Sequence, residues 1–130
     1  EKYLMKKDNE ERSASFAEKK LKKFLFSADF IQNCSREILA TKLHEESDND
    51  TNYFTDADLA ILGNDAAIYK KYTTDIRKEY SIYPDILYKP GRKKVLHHFL
   101  NMNRIFKTDW FFNKYEEQAR INIEAEYSLL

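Results

Sequence analysis

Three ionisable residues occupy positions where helical periodicity calls for apolar side chains, and their types could support hydrolysis. The segment Phe54-Thr-Asp-Ala-Asp-Leu-Ala-Ile-Leu-Gly63 reads as a short helix ended by glycine. At about 100° per residue, Phe54, Ala57, Asp58, Ile61 and Leu62 share one face, while Asp56 lies roughly 160° away from Asp58. An ionised carboxylate on such a face is costly unless a metal or another charge compensates it. Glu10 extends the stripe Ala14, Ala17, Leu21 and Phe24 towards the start of a first helix. His44 sits at the end of the stripe Phe30, Cys34, Ile38 and Thr41 on a second. Acid, imidazole and carboxylate converging on one point are what a metal-assisted hydrolytic site requires. By periodicity Asp58, Glu10 and His44 are candidates for the metal ligand and catalytic groups of such a site, no more than suggested by their spacing.

Each residue also has a plainer reading. Glu10 falls in a first helical turn, where the helix dipole favours a negative charge whatever else it does. A histidine at a helix C-terminus is commonly a dipole partner. Asp58, in mid-helix, has no such capping role. Arg92 follows Gly91 near an expected helix start, where backbone N–H groups help hold a substrate phosphate; the alternative is an anchor for an acidic residue of a neighbouring helix. His97 and His98 are adjacent in a helix, so their rings diverge by about 100° and read as a surface pair. No glycine-rich phosphate loop, paired-cysteine zinc site or Ser-His-Asp arrangement is visible.

The elements that must position these groups are helical. Only two Gly and two Pro in 130 residues, with helical periodicity almost throughout, predict an all-α fold of about six helices in one domain. The first helix is expected from about Asn9 to Phe26 with Asp8 as cap, and the second from Ser27, as cap, to near His44. Glu45-Glu-Ser-Asp-Asn-Asp50 reads as an acidic, solvated loop before the short Phe54–Gly63 helix. Asp65 caps a long helix with Ile68, Tyr72, Ile76 and Tyr80 along one face. Pro84-Asp85 begins a turn or short helical piece, and Gly91 precedes a helix carrying Val95, Leu96, Phe99 and Leu100. Thr108 caps the last helix, whose stripe is Phe112, Tyr115, Ala119, Ile123 and Leu130.

Basic and acidic residues balance at 22 each, so no net field recruits nucleic acid or an anionic membrane. The single cysteine, Cys34, excludes an internal disulfide and is expected as a buried thiol in a reducing, cytoplasmic compartment. No apolar run is long enough to span a bilayer. Nine Tyr and nine Phe fall mainly at helical spacing and read as core or half-buried positions rather than as a base-stacking surface.

Six strings occur in order along the chain: Asn9-Glu-Glu-Arg-Ser-Ala14, Ile38-Leu-Ala-Thr-Lys-Leu-His44, Asp56-Ala-Asp-Leu-Ala-Ile-Leu-Gly63, Glu79-Tyr-Ser-Ile-Tyr-Pro-Asp85, Tyr88-Lys-Pro-Gly-Arg-Lys-Lys-Val-Leu96 and Ala119-Arg-Ile-Asn122. Together they resemble a branch of the HD-domain superfamily, the predicted metal-dependent phosphohydrolases, from about Asp8 to the end. The resemblance implies a helical domain that binds a divalent metal through a His, a His-Asp pair and a later Asp, and that hydrolyses a small phosphorylated substrate. On this pattern the later Asp corresponds to Asp58, with Asn9-Glu10 and Thr41-x-x-His44 bordering the same site. The chain departs from the pattern upstream: no His precedes His44, and the His-Asp doublet is absent. It also begins with Glu rather than Met. The expectation is therefore the C-terminal portion of a longer phosphohydrolase, binding metal weakly at most by itself, with a partner copy or an N-terminal segment over its exposed apolar surface. The competing expectation is a non-catalytic helical interaction or assembly module on the same scaffold.

Overall fold

The computed structural model describes residues 8–130. Six α-helices run in order: α1 Asn9–Lys23, α2 Ala28–Ala40, α3 Asn49–Leu59, α4 Ala66–Glu79, α5 Asp85–Leu100 and α6 Asp109–Leu129, with a 3-10 turn at Ala60–Gly63 after α3. The described residues contain no strand, so the fold is all-α as expected. None of the helices is long and apolar enough to cross a membrane among the described residues. The chain divides into two compact units, one through Thr55 and one over Asp56–Leu130.

In the first unit α1 and α2 form an antiparallel hairpin. Ser27 starts α2 as the sequence predicts, its Oγ accepting the Phe30 N–H at 3.2 Å. This satisfies one of the orphan donors of a helix start. Asp8 occupies the N-cap of α1 without a side-chain cap hydrogen bond. The register of the hairpin is set by two cross-pairs: the Ser35 hydroxyl donates to Glu18 at 2.9 Å, and the Lys42 ammonium pairs with Glu11. Both pairs are centred on residues 26 and 27, so the start of α1 and the residues just past α2 lie at the same end. Ala14, Ile31 and Ser35 are buried between the two helices, and Cys34 is half-buried rather than enclosed.

The second unit holds a continuous core of Leu59, Leu62, Tyr69, Leu96, Ile105, Phe106, Ala119 and Ile123. The 3-10 turn packs on α6 at very close range: a Cβ added at Gly63 would stand 2.5 Å from the Tyr115 carbonyl oxygen. Only a residue without a side chain permits that approach. From α6, Asn122 donates to the carbonyls of Leu62 at 2.9 Å and Asn64 at 2.8 Å, which fastens the C-terminal end of the turn.

Two boundaries differ from the sequence expectation. The acidic stretch is not wholly a loop, because Asp48 accepts the Thr51 N–H at 2.9 Å and its hydroxyl at 3.0 Å, and α3 starts at Asn49. Gly91 does not begin a helix either; α5 starts at Asp85 and continues through Pro90. The amide that Pro90 lacks would have met the carbonyl of Ile86, itself an exposed residue, so the missing bond falls on the solvent side.

Candidate functional site

Of the two aspartates on α3, the structure buries the one that the apolar pattern pointed away. Asp56 is fully buried and Asp58 is exposed, which reverses the expected orientation of this helix. The buried positions of α3 are Thr51, Thr55, Asp56 and Leu59, continued by Leu62 in the 3-10 turn. Spacings of four carry the stripe from Thr51 to Thr55 to Leu59, but two of these residues are polar by type. Their hydroxyls bond locally, Thr55 Oγ1 donating to the Asn52 carbonyl at 3.2 Å, so threonine serves here as an apolar side chain. The face containing Phe54, Ala57 and Asp58 is thereby left outward.

Asp56 is compensated by the start of α6. Its carboxylate accepts the Lys107 N–H at 2.9 Å, the Thr108 N–H at 2.8 Å and the Thr108 hydroxyl at 2.7 Å. Thr108 is the N-cap residue of α6, but its own side chain makes no cap bond within the helix and turns instead to Asp56. A carboxylate facing the positive end of a helix, with three donors, is well solvated by protein groups. Asp56 is thus a bracket between α3 and α6, and it needs no ion.

The same pattern recurs through this unit. Glu116 is buried and accepts N–H bonds from Ile105 at 2.9 Å and Phe106 at 3.0 Å. Arg120 bonds Glu116 at 2.9 Å and reaches the carbonyls of Leu100 and Met102 at 3.2 and 2.7 Å. Together they tie down the connection between α5 and α6. Arg92 on α5 makes a two-point ion pair with Glu126 on α6, at 2.7 and 3.0 Å. The acidic partner that the sequence offered as the alternative for Arg92 is therefore present. The Tyr69 hydroxyl also donates to Glu126. Burial, reinforced by Glu126, pushes the Tyr69 pKa well above the usual tyrosine range. For Arg92, burial opposes the charge, but the hydrogen bonds and negative charge of Glu126 outweigh it and raise its pKa.

In the first unit Glu10 and His44 belong to the same end of the hairpin. Glu10 stands in the first turn of α1, and His44 lies just beyond α2 at the same end of the hairpin. Both are half-buried. Lys42, two residues before His44, pairs with Glu11, and that hydrogen bond raises its pKa, with smaller contributions from the charges of Glu10 and Asp8. His44 adopts a left-handed conformation, φ 53°, and its N–H bonds the Ala40 carbonyl at 3.0 Å. That position after a helix ordinarily takes glycine or asparagine. An open groove of about 750 Å³ also lies on this hairpin, lined by Glu18, Lys22, Leu25, Phe26, Ile31 and Leu39 among others; neither Glu10 nor His44 lines it.

Among the described residues no three His, Cys, Asp or Glu side chains gather closely enough to hold a metal ion. His97 and His98 are both exposed, as expected of a surface pair, and His97 lies against Tyr127 with ring centroids 6.4 Å apart. Sequence reasoning missed Asp56 and Glu116 as buried groups. The signal available was the spacing of Thr51, Thr55 and Leu59, which locates the inward face once threonine is counted as apolar. Comparison of the chain with protein-family models, with curated proteins and with solved structures finds no match.

Proposed function

We propose that this chain belongs to a helical phosphohydrolase of the HD type, acting on a small phosphorylated substrate. The observation that supports the reading is the placement of Asn9-Glu10 and Thr41-x-x-His44 at the same end of the α1–α2 hairpin. Two strings distant in sequence supply there an acid and an imidazole, the pair a phosphoester cleavage uses to move protons. Glu10 positions or deprotonates the attacking water. His44 holds the phosphate or protonates the leaving oxygen. Asp58 would be a ligand of a divalent metal, as the resemblance implies, and that metal would supply a water of lowered pKa. Arg92 passes to the scaffold in this reading, since Glu126 occupies its guanidinium.

The test is made on the full-length natural protein with a generic ester such as p-nitrophenyl phosphate and added magnesium, manganese or iron(II). Turnover is expected, with Glu10→Gln and His44→Ala each lowering kcat by about a hundredfold or more at unchanged melting temperature. The second reading, a non-catalytic helical module, is favoured by how completely the buried ionisable groups of Asp56–Leu130 are engaged in bracing helices. Full folding without hydrolysis under any of those metals would decide for it.

A further inference from the structure

The net charge of zero conceals a strongly basic and apolar tip on the α1–α2 hairpin. Lys19, Lys20, Lys22 and Lys23 are all exposed and immediately precede Phe24-Leu25-Phe26. These three apolar side chains are 69%, 92% and 48% exposed. The turn is closed and held by the bonds of Leu25 N–H to the Lys22 carbonyl and Phe26 N–H to the Leu21 carbonyl, both 3.1 Å. This is the double hydrogen-bonded helix ending whose left-handed residue is usually glycine. Here that residue is leucine, at φ 61°. A branched side chain in that conformation is strained, and nothing packed around Leu25 offsets the strain. The Phe26 ring stacks on Phe30 at 4.9 Å, so the knuckle is backed by a second aromatic rather than by a covering element. Of the nearby acids, Glu18 accepts the Ser35 hydroxyl and Asp29 stands in the first turn of α2, which leaves the tip positive.

We propose that this hairpin tip docks on an anionic lipid bilayer. Clustered lysines are drawn to the negative surface potential of such a leaflet. The outward Phe24 and Leu25, with Phe26 behind them, enter the headgroup boundary, where apolar burial adds to the electrostatic attraction. The attraction is local, acting over about a Debye length of 8 Å, so the balanced charge of the whole chain does not oppose it. A helix crossing the bilayer is not required.

The experiment is vesicle flotation of the protein with phosphatidylcholine alone and with about one third phosphatidylserine. Binding to the anionic vesicles, weakened by added sodium chloride, is expected. Replacing two lysines, Lys22→Gln with Lys23→Gln, should weaken it by about fivefold for each charge removed. Leu25→Gly should weaken it about tenfold while melting at or above the wild-type temperature, because glycine relieves the strained backbone; folding and docking are thereby read separately. Equal binding to neutral vesicles, wild-type binding by Leu25→Gly, or binding to a phosphodiester polymer without vesicle binding would each overturn the proposal.

Discussion

The α1–α2 hairpin and the Asp56–Leu130 unit treat charge in opposite ways. In the latter, beside exposed surface pairs, three carboxylates are enclosed or nearly so and fully engaged: Asp56 by the start of α6, Glu116 by two backbone amides and Arg120, Glu126 by Arg92 and Tyr69. In the hairpin the ion pair of Glu11 with Lys42 is exposed, and Glu10 and His44 sit at an end rather than in a core. Burial of a charge is therefore a poor guide to chemistry in this protein. The enclosed carboxylates are held by donors of the fold itself, backbone N–H groups for Asp56 and Glu116 and the Arg92 and Tyr69 side chains for Glu126.

The largest expected effect breaks a bracket in the second unit. Arg92→Met should cost about 3 kcal/mol or more, since Glu126 would remain almost buried without its cation. Adding Glu126→Leu should restore most of that loss, a double-mutant outcome readable by urea unfolding. Gly63→Ala comes next, at about 2 kcal/mol, because the new methyl meets Tyr115 backbone that cannot move without shifting α6.

In the hairpin the sign reverses. His44→Gly should raise stability by about 1 kcal/mol by relieving a left-handed side chain while abolishing the proposed hydrolysis by the full-length protein. Such a trade would mean that the imidazole is kept against the preference of its backbone. The smallest effect concerns pH. The Thr51 N–H and hydroxyl, then Arg36, hold the Asp48 carboxyl below its ordinary value of 3.8. A depressed carboxyl stabilises fully above its unfolded pKa and loses that contribution as pH falls through its lower folded pKa. The protection factor of the Thr51 amide, its exchange measured against the intrinsic rate at the same pH, should therefore fall below about pH 4 and be constant above it.

Helix number and most helix starts were legible because apolar spacing and caps are local properties. Ser27, with a hydroxyl three residues before the Phe30 amide, is a clear case. The start of α5 was not legible, since Pro90-Gly91 reads as a break while its missing bond falls on exposed positions. The orientation of α3 was not legible either. Counting apolar residues favoured Phe54, Ala57 and Asp58, whereas the packed face uses Thr51 and Thr55, and the Asp56 carboxylate finds its donors more than fifty residues away. Tertiary donors of that kind leave no local trace. Glu10 and His44 were legible as ends of stripes, and their placement at one end of the hairpin follows from a short connection between antiparallel helices.

The division of labour between the two aspartates of α3 is the central claim, and one paired measurement addresses it. Asp56→Asn and Asp58→Asn are each introduced into the full-length natural protein and compared for melting temperature and for manganese-dependent phosphoester turnover. Asp56→Asn should lower stability by about 2 kcal/mol or more, because it removes the charge and one acceptor from three donors at the head of α6. Asp58→Asn should leave stability within about 0.5 kcal/mol of wild type and reduce turnover by at least about a hundredfold. Wild-type stability in Asp56→Asn, or full turnover in Asp58→Asn, would contradict the account.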